Sequence, residues 1–340
     1  MQKRHFSLAL MFAVTTLFTC MVLAPSAQAA PKVYKLKFAH DNNPDASYQA
    51  GALKFQELVR ERTNGQVEIQ IYPSAQLGDE TTLMESVRMG TIDFAPCGCP
   101  NASPVFPMLN LFSLSYLFKD QAHFDDCFND PQSTIPGIVK KMVADQKTGA
   151  TVGAFFTIGK RSVVNRVKPV TKPEDLQGMS IRVMNSPIET EIWRTLGAIP
   201  TSIATNETYS ALQTNVVNAA ENAPIIVFSW KFYEAAPYYS LTEHQFFLSP
   251  VFVSDKLFKK LPADLAATVM ECLEEAAAYE RKADIGINEE ALKKMAAAGC
   301  KINDDVNKQA FIDLLSPLQD KVAEKYGMTA VLQDIRGKMR

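Results

Sequence analysis

Five consecutive pieces decide the fold: VYKLKFA (33–39), SYQAGALKFQELVRERT (47–63), VEIQI (67–71), DETTLMESVRMG (79–90) and IDFA (92–95). In the first, Tyr34, Leu36 and Phe38 recur with the two-residue period of a strand. The second reads as a helix with Leu53, Leu58 and Val59 in its apolar set and Asn64-Gly65 as its stop. Val67, Ile69 and Ile71 alternate again. Asp79 is placed to cap a helix that runs to Met89 and stops at Gly90, and Ile92 to Ala95 follow as a third strand. Strand, helix, strand, helix, strand is the order of a parallel α/β unit.

A second α/β unit begins near residue 151. Thr171-Lys-Pro-Glu174 and Ser186-Pro-Ile-Glu189 both have the spacing of a capping box. Between them Met179 to Met184 reads as a strand, with Ile181 and Val183 on one face and Ser180, Arg182 and Met184 on the other. The helix opened by Ser186 ends at Gly197. A further helix spans Glu207 to Thr214, and Val216 to Ala219 reads as a short strand. From Pro262 to Ala298 the chain is rich in Ala, Glu, Leu and Lys. At 1.5 Å per residue such a helix reaches about 50 Å, so it must cross both units or bend, with Gly286 the weak point.

The chain has 340 residues, 47% hydrophobic and 21% charged, long enough for two domains with cores of their own. A formal net charge of -2 gives no basic footprint for nucleic acid. Lys3 and Arg4, the apolar run Phe6 to Leu23, Pro25 and Ala27-Gln28-Ala29 together read as an export signal, residues 1–29, cleaved after Ala29. The rival reading, an uncleaved anchor, rests on a run close to the roughly 20 residues that span a bilayer, and the Ala-x-Ala site speaks against it. Removing Lys3 and Arg4 takes the formal charge from -2 to about -4. The remaining cysteines are Cys97, Cys99, Cys127, Cys272 and Cys300, an odd set for an oxidising compartment. A Cys272–Cys300 bridge and a bridge from Cys97 or Cys99 to Cys127 are the pairings considered, with loop packing as the alternative.

Enzyme signatures are missing: there is no G-x-S-x-G, H-E-x-x-H, Walker A loop or G-x-G-x-x-G. His40, His123 and His244 are scattered, so neither a metal site nor a cofactor is expected. Arg182 stands out. It lies near the carboxyl end of a strand, where open α/β sheets bind ligands. Its planar fork suits a carboxylate, and the helix after Ser186 offers free N–H groups beside it. Read from spacing alone, an ordinary surface salt bridge is the competing account. Lys160 and Arg161 add charge near the start of the second unit, where such a pair reads first as a solvated edge, and Trp193, Tyr209, Phe228 and Trp230 read first as core aromatics.

The ordered stretches Leu36-Lys-Phe-Ala-His40, Gly65 to Asp79, Gly90-Thr-Ile-Asp-Phe94, Leu176 to Asn185, Leu196 to Thr201, Glu207 to Gln213 and Glu221-Asn222 resemble the solute-binding proteins of TRAP (tripartite ATP-independent periplasmic) transporters, the DctP-like family. The resemblance implies an α/β, two-domain periplasmic-binding-protein-like fold with a ligand cleft and a long domain-spanning helix. Residues 31–156 plus 248–285 would form one domain and 157–247 plus 286–340 the other, linked by hinges. It implies that Arg182 pairs with the carboxylate of a small organic acid, and that Asn185 and Asn222 line the pocket with Thr205. A second cation falls on Lys160 or Arg161, an alternative the sequence leaves open, and Tyr209 and Trp193 are expected as wall residues.

Thr205 stands where the family commonly has a bulkier side chain, Asn218-Ala219 where it often has Asp-Gly, and Cys97-Gly98-Cys99 where it often supplies a pocket side chain. These departures argue against transferring a C4-dicarboxylate or sialic acid ligand. The candidates are 2-oxo acids, dicarboxylates, sugar acids and aromatic acids. The expected protein is a monomeric, non-enzymatic periplasmic receptor whose partners are TRAP permease membrane subunits. A sensor subunit for a signalling membrane protein, or a periplasmic enzyme acting on such an acid, are the alternatives.

Overall fold

The computed structural model describes residues 32–338. The export signal and Cys20 lie outside the described residues. Among the described residues, nine strands form one mixed sheet: β1 (Tyr34–Ala39), β2 (Val67–Tyr72), β3 (Phe94–Pro96), β4 (Ala150–Asn165), β5 (Ser180–Val183), β6 (Ile199–Ser202), β7 (Ala219–Asn222), β8 (Tyr238–Ser254) and β9 (Lys301–Asn303). The order is β2-β1-β3-β8-β4-β7-β5-β6, with β9 on β8. β1 runs parallel to β2 and β3, and β5 runs parallel to β6 and β7, so the two sequence units are two parallel α/β halves.

The long strands β4 and β8 join the halves. They pair antiparallel from Ala150–Ser254 to Asn165–Tyr238. Their register shifts between Val152 and Ala154, between Thr157 and Lys160, and between Arg161 and Val163. Because side chains alternate across a sheet, neighbours such as Phe155 and Phe156, Val163 and Val164, or Ala219 and Ala220 fall into different hydrophobic clusters. The core is therefore two apolar layers, one per face, each continuous through both halves.

The helix Ala263–Ala297 is unbroken over 35 residues, and Gly286 does not end it. It buries Leu265, Val269, Leu273, Ala276, Ala277, Ala291 and Met295. Its partners are the helix Ser47–Arg62, β4 and the helix Pro224–Ser229, so it crosses both halves. Gly51 permits the close approach: a Cβ there would lie 2.7 Å from the Phe156 ring and 2.9 Å from Cβ of Glu280. The C-terminal helix Thr329–Gly337 packs on the helix Ile135–Asp145, and His123 Nε2 lies 2.8 Å from the Ile335 carbonyl. The tail thus touches chain that the sequence reading gave to the other domain.

Local expectations are met in most places. Asp79 accepts from the Thr82 N–H, Gly90 closes that helix at φ 74°, and Asn64-Gly65 turn at φ 48° and 74°. Four readings need correction. Leu53 is exposed, and Phe55 is the buried residue of its helix turn. The box read at Thr171–Glu174 is closed one residue later: the Asp175 carboxylate accepts from Thr171 and Lys172, over a short 3-10 turn. The strand read at Val216–Ala219 starts at Ala219 instead, because Asn215 turns at φ 63° and leaves Val216 exposed. None of the considered disulfides is formed: Cys97, Cys99, Cys127, Cys272 and Cys300 are all free and buried.

Candidate ligand-binding site

At the carboxyl end of β5, Arg182 is 1% exposed. Its Nε donates to the Ile203 carbonyl at 2.7 Å and Nη2 to the Thr205 hydroxyl at 3.3 Å. Nη1 is buried without a partner. Burial lowers the pKa of this guanidinium to about 10, with Arg161 adding to the fall and Glu221 opposing it. The group is still charged at neutral pH.

Arg182 opens on a cavity of about 250 Å³, which Asp41, Glu80 and Asn101 line from the first half and Asn185 and Thr205 from the second. A narrower recess beneath shares Asp41, Glu80, Asn101 and Thr205, and adds Arg161, Asn222, Asn42 and Phe247. The cavity lies between the halves, and the Asn185 N–H donates to Asn101 Oδ1 across it at 3.0 Å.

The structure separates the two candidate cations, because adjacent strand residues point to opposite faces. Arg161 enters the recess. Its Nε and Nη2 bind the Glu221 carboxylate at 2.6 and 2.7 Å. Nη2 also reaches the Glu221 carbonyl at 2.8 Å and Nη1 the Asn222 Oδ1 at 2.8 Å. The Phe247 ring lies 4.6 Å from the guanidinium carbon. Burial alone would raise the pKa of Glu221, but Arg161 and His244 outweigh it and hold the carboxyl at about 2. Lys160 instead faces a separate cavity of about 350 Å³ and pairs with Glu243 at 2.9 Å.

Of the other expected residues, Asn185, Asn222 and Thr205 stand at the cleft. Trp193 does not: it is buried in the core, edge-on to His244 at 5.2 Å. Tyr209 packs half-buried in the apolar layer on the opposite face from Trp193. Within the first turn of the helix Pro187–Thr195, Ser186 takes the Glu189 N–H on its Oγ at 3.5 Å and the Thr190 N–H on its carbonyl at 3.2 Å.

Asp41, Glu80 and Asn101 were not anticipated. The rule that pointed to Arg182, proximity to the carboxyl end of a strand, applies equally to Asp41, two residues beyond β1. Glu80 hides behind the cap Asp79 as an ordinary acidic residue of a first helical turn. Its Oε2 accepts from the Gly98 N–H at 3.1 Å and Asn101 Nδ2 at 2.7 Å. The Cys97–Cys99 segment therefore contributes a backbone donor, and burial pushes both thiols up. A Cβ at Gly98 would lie 2.1 Å from the Phe247 ring that covers Arg161.

Beside the recess, Glu189 accepts from Gln245 Nε2 at 2.9 Å, and burial together with Glu221 raises its pKa to about 7. A folded-state pKa above the unfolded one means that the folded protein holds more protons between about pH 4.5 and 7, so stability falls as pH rises through that window. Urea denaturation of Glu189→Gln at several pH values should show this part of the decline removed.

The sequence pattern described as bacterial extracellular solute-binding protein, family 7 (DctP), matches residues 38–326. The chain belongs to this family. The 2,3-diketo-L-gulonate-binding periplasmic protein YiaO of Escherichia coli K12 is 30% identical to this family 7 protein, over 86% of this chain and 88% of its own. Two crystal structures of TRAP periplasmic solute-binding proteins share the fold. One, from Chromohalobacter salexigens with bound D-glucuronate, superposes with a TM-score of 0.83 at 28% identity, over 89% of this chain and 100% of its own. The other, from Sulfurospirillum deleyianum with bound succinate, has a TM-score of 0.82 at 27% identity, over 90% and 99%.

Proposed function

We propose that this protein is the periplasmic receptor of a TRAP transporter. It captures a small organic acid by its carboxylate and presents it, unaltered, to the membrane permease subunits. One observation carries the reading: the charged Arg182 guanidinium is buried at the cleft with its Nη1 unpartnered. A carboxylate completes that fork with short, charge-assisted hydrogen bonds. Arg161, bound to Glu221 and Asn222, holds the cleft floor without offering a free fork. Asn185, Asn222 and Thr205 orient the rest of the ligand.

The family is one of binding proteins, and its relatives include a periplasmic one. No described helix is long and apolar enough to cross a membrane. Export with cleavage after Ala29 and a monomeric mature chain accord with this role. The domain boundary belongs where the register of β4 against β8 shifts, between Thr157 and Lys160, opposite Leu248 and Phe246. Ligand shifts an open–closed equilibrium at that line. Native mass spectrometry of protein purified from its own host should show a bound organic acid, released intact on denaturation. Recovery of a chemically altered acid after incubation would point to an enzyme instead.

A further inference from the structure

The cleft holds more buried acid than a simple anion site needs. Asp41 and Glu80 both face it, 5% and 6% exposed. Glu80 is tied down by Gly98 and Asn101, whereas Asp41 Oδ1 and the neighbouring Asn42 Nδ2 are buried without protein partners. One is an acceptor and the other a donor, and both residues line the recess.

The charges leave room for one carboxylate. Arg161 is matched by Glu221, and Lys160 looks into another cavity. Arg182 is the cation left for the ligand. A second carboxylate in this small cavity would lose its water beside Asp41 and Glu80 with no cation to meet it. Burial, then the charge of Glu80, already pushes Asp41 well above the usual carboxylate range. A hydroxyl group is different: it donates and accepts at once, which is what Asp41 Oδ1 beside Asn42 Nδ2 requires.

We propose that the cleft selects a polyhydroxylated monocarboxylate, a sugar acid of the uronic or aldonic type, and rejects dicarboxylates. Asp41 and Asn42 read hydroxyls of the ligand, and the proposal rests on Arg182 as the anchor of its carboxylate. A site built to bond hydroxyls also discriminates strongly against analogues that lack them.

The test is calorimetry of the full mature protein with D-glucuronate, D-gluconate, D-glucarate and succinate. Glucarate keeps the hydroxyls and adds a second carboxylate; succinate has two carboxylates and no hydroxyl. At least one of the first two should bind about 100-fold or more tightly than either diacid. Asp41→Asn should narrow the glucuronate-to-glucarate ratio by about tenfold or more, and Asn42→Ala should weaken the hydroxylated acids and leave succinate unchanged. A diacid binding within tenfold of the best sugar acid, no sugar acid binding, or an unchanged ratio in Asp41→Asn with native melting behaviour overturns the proposal. Arg182→Ala separates the two failures. If it abolishes tight diacid binding, only the selectivity is wrong; if it leaves binding intact, the anchor is wrong as well.

Discussion

Replacing Arg182 by alanine is expected to weaken ligand binding by about 100-fold or more, equivalent to about 3 kcal/mol, as for removing one partner of a buried charge pair. The size follows from the geometry. Arg182 is the cleft cation with a free terminal nitrogen, and Arg161 cannot turn to replace it without abandoning Glu221. Arg182→Lys keeps the charge and loses the fork, so it should recover only part of the loss. Calorimetry with the acid released from the native protein reads both variants, and near-normal affinity in Arg182→Ala would remove the anchor. Folding is checked separately by near-ultraviolet circular dichroism, because truncating a buried side chain also leaves a void.

The largest loss of stability is expected from Glu221→Ala. It strands Arg161, 1% exposed, beside a second buried guanidinium, and should cost about 3–5 kcal/mol in urea denaturation at pH 7. The expected loss is greater than the worth of the pair, since most of it is an uncompensated buried charge. Arg161→Met combined with Glu221→Leu should therefore recover much of it, while Arg161→Met alone should not. A single variant as stable as the native chain would contradict this account. The sign with pH follows from Glu221 being held at about 2, below its unfolded value near 4.5. The native chain gains stability from Glu221 above about pH 4.5 and loses it as pH falls toward 2, and Glu221→Gln should flatten that acid limb.

Much of the fold was legible because its periods are local. The β1–helix–β2–helix–β3 series carries its own caps and stops, and the helix from 263 to 297 shows in composition alone. The crossing strands β4 and β8 escaped notice. They are buried on both faces, so ATVGAFFTIGKRSVVN lacks the alternation that marks a half-exposed strand, and the register shifts break what parity remains. The same shifts explain the site. Spacing cannot say whether Lys160 or Arg161 enters the cleft, since that depends on which face of the sheet each side chain takes once the register has shifted. Arg182 was legible because β5 is short and regular, with its carboxyl end beside a capped helix. Asp41 and Glu80 were not, because each becomes part of the cleft only when distant loops close around it.

The register breaks in β4 and β8 bear on how such a cleft can shut. Three lengths of chain run through the proposed boundary: β4, β8 and the unbroken helix beside them. A sheet that continues across it, flanked by a 35-residue rod, behaves as a leaf spring and not as a ball joint. Bending can concentrate at Thr157–Lys160, where paired hydrogen bonds are already interrupted and Gly159 sits at φ 86°. In the proposed closure, the packing of the long helix on both halves would oppose sliding and twisting. Closure in the proposed mode would then follow essentially one angular coordinate, and a captured acid would need to freeze little besides that angle.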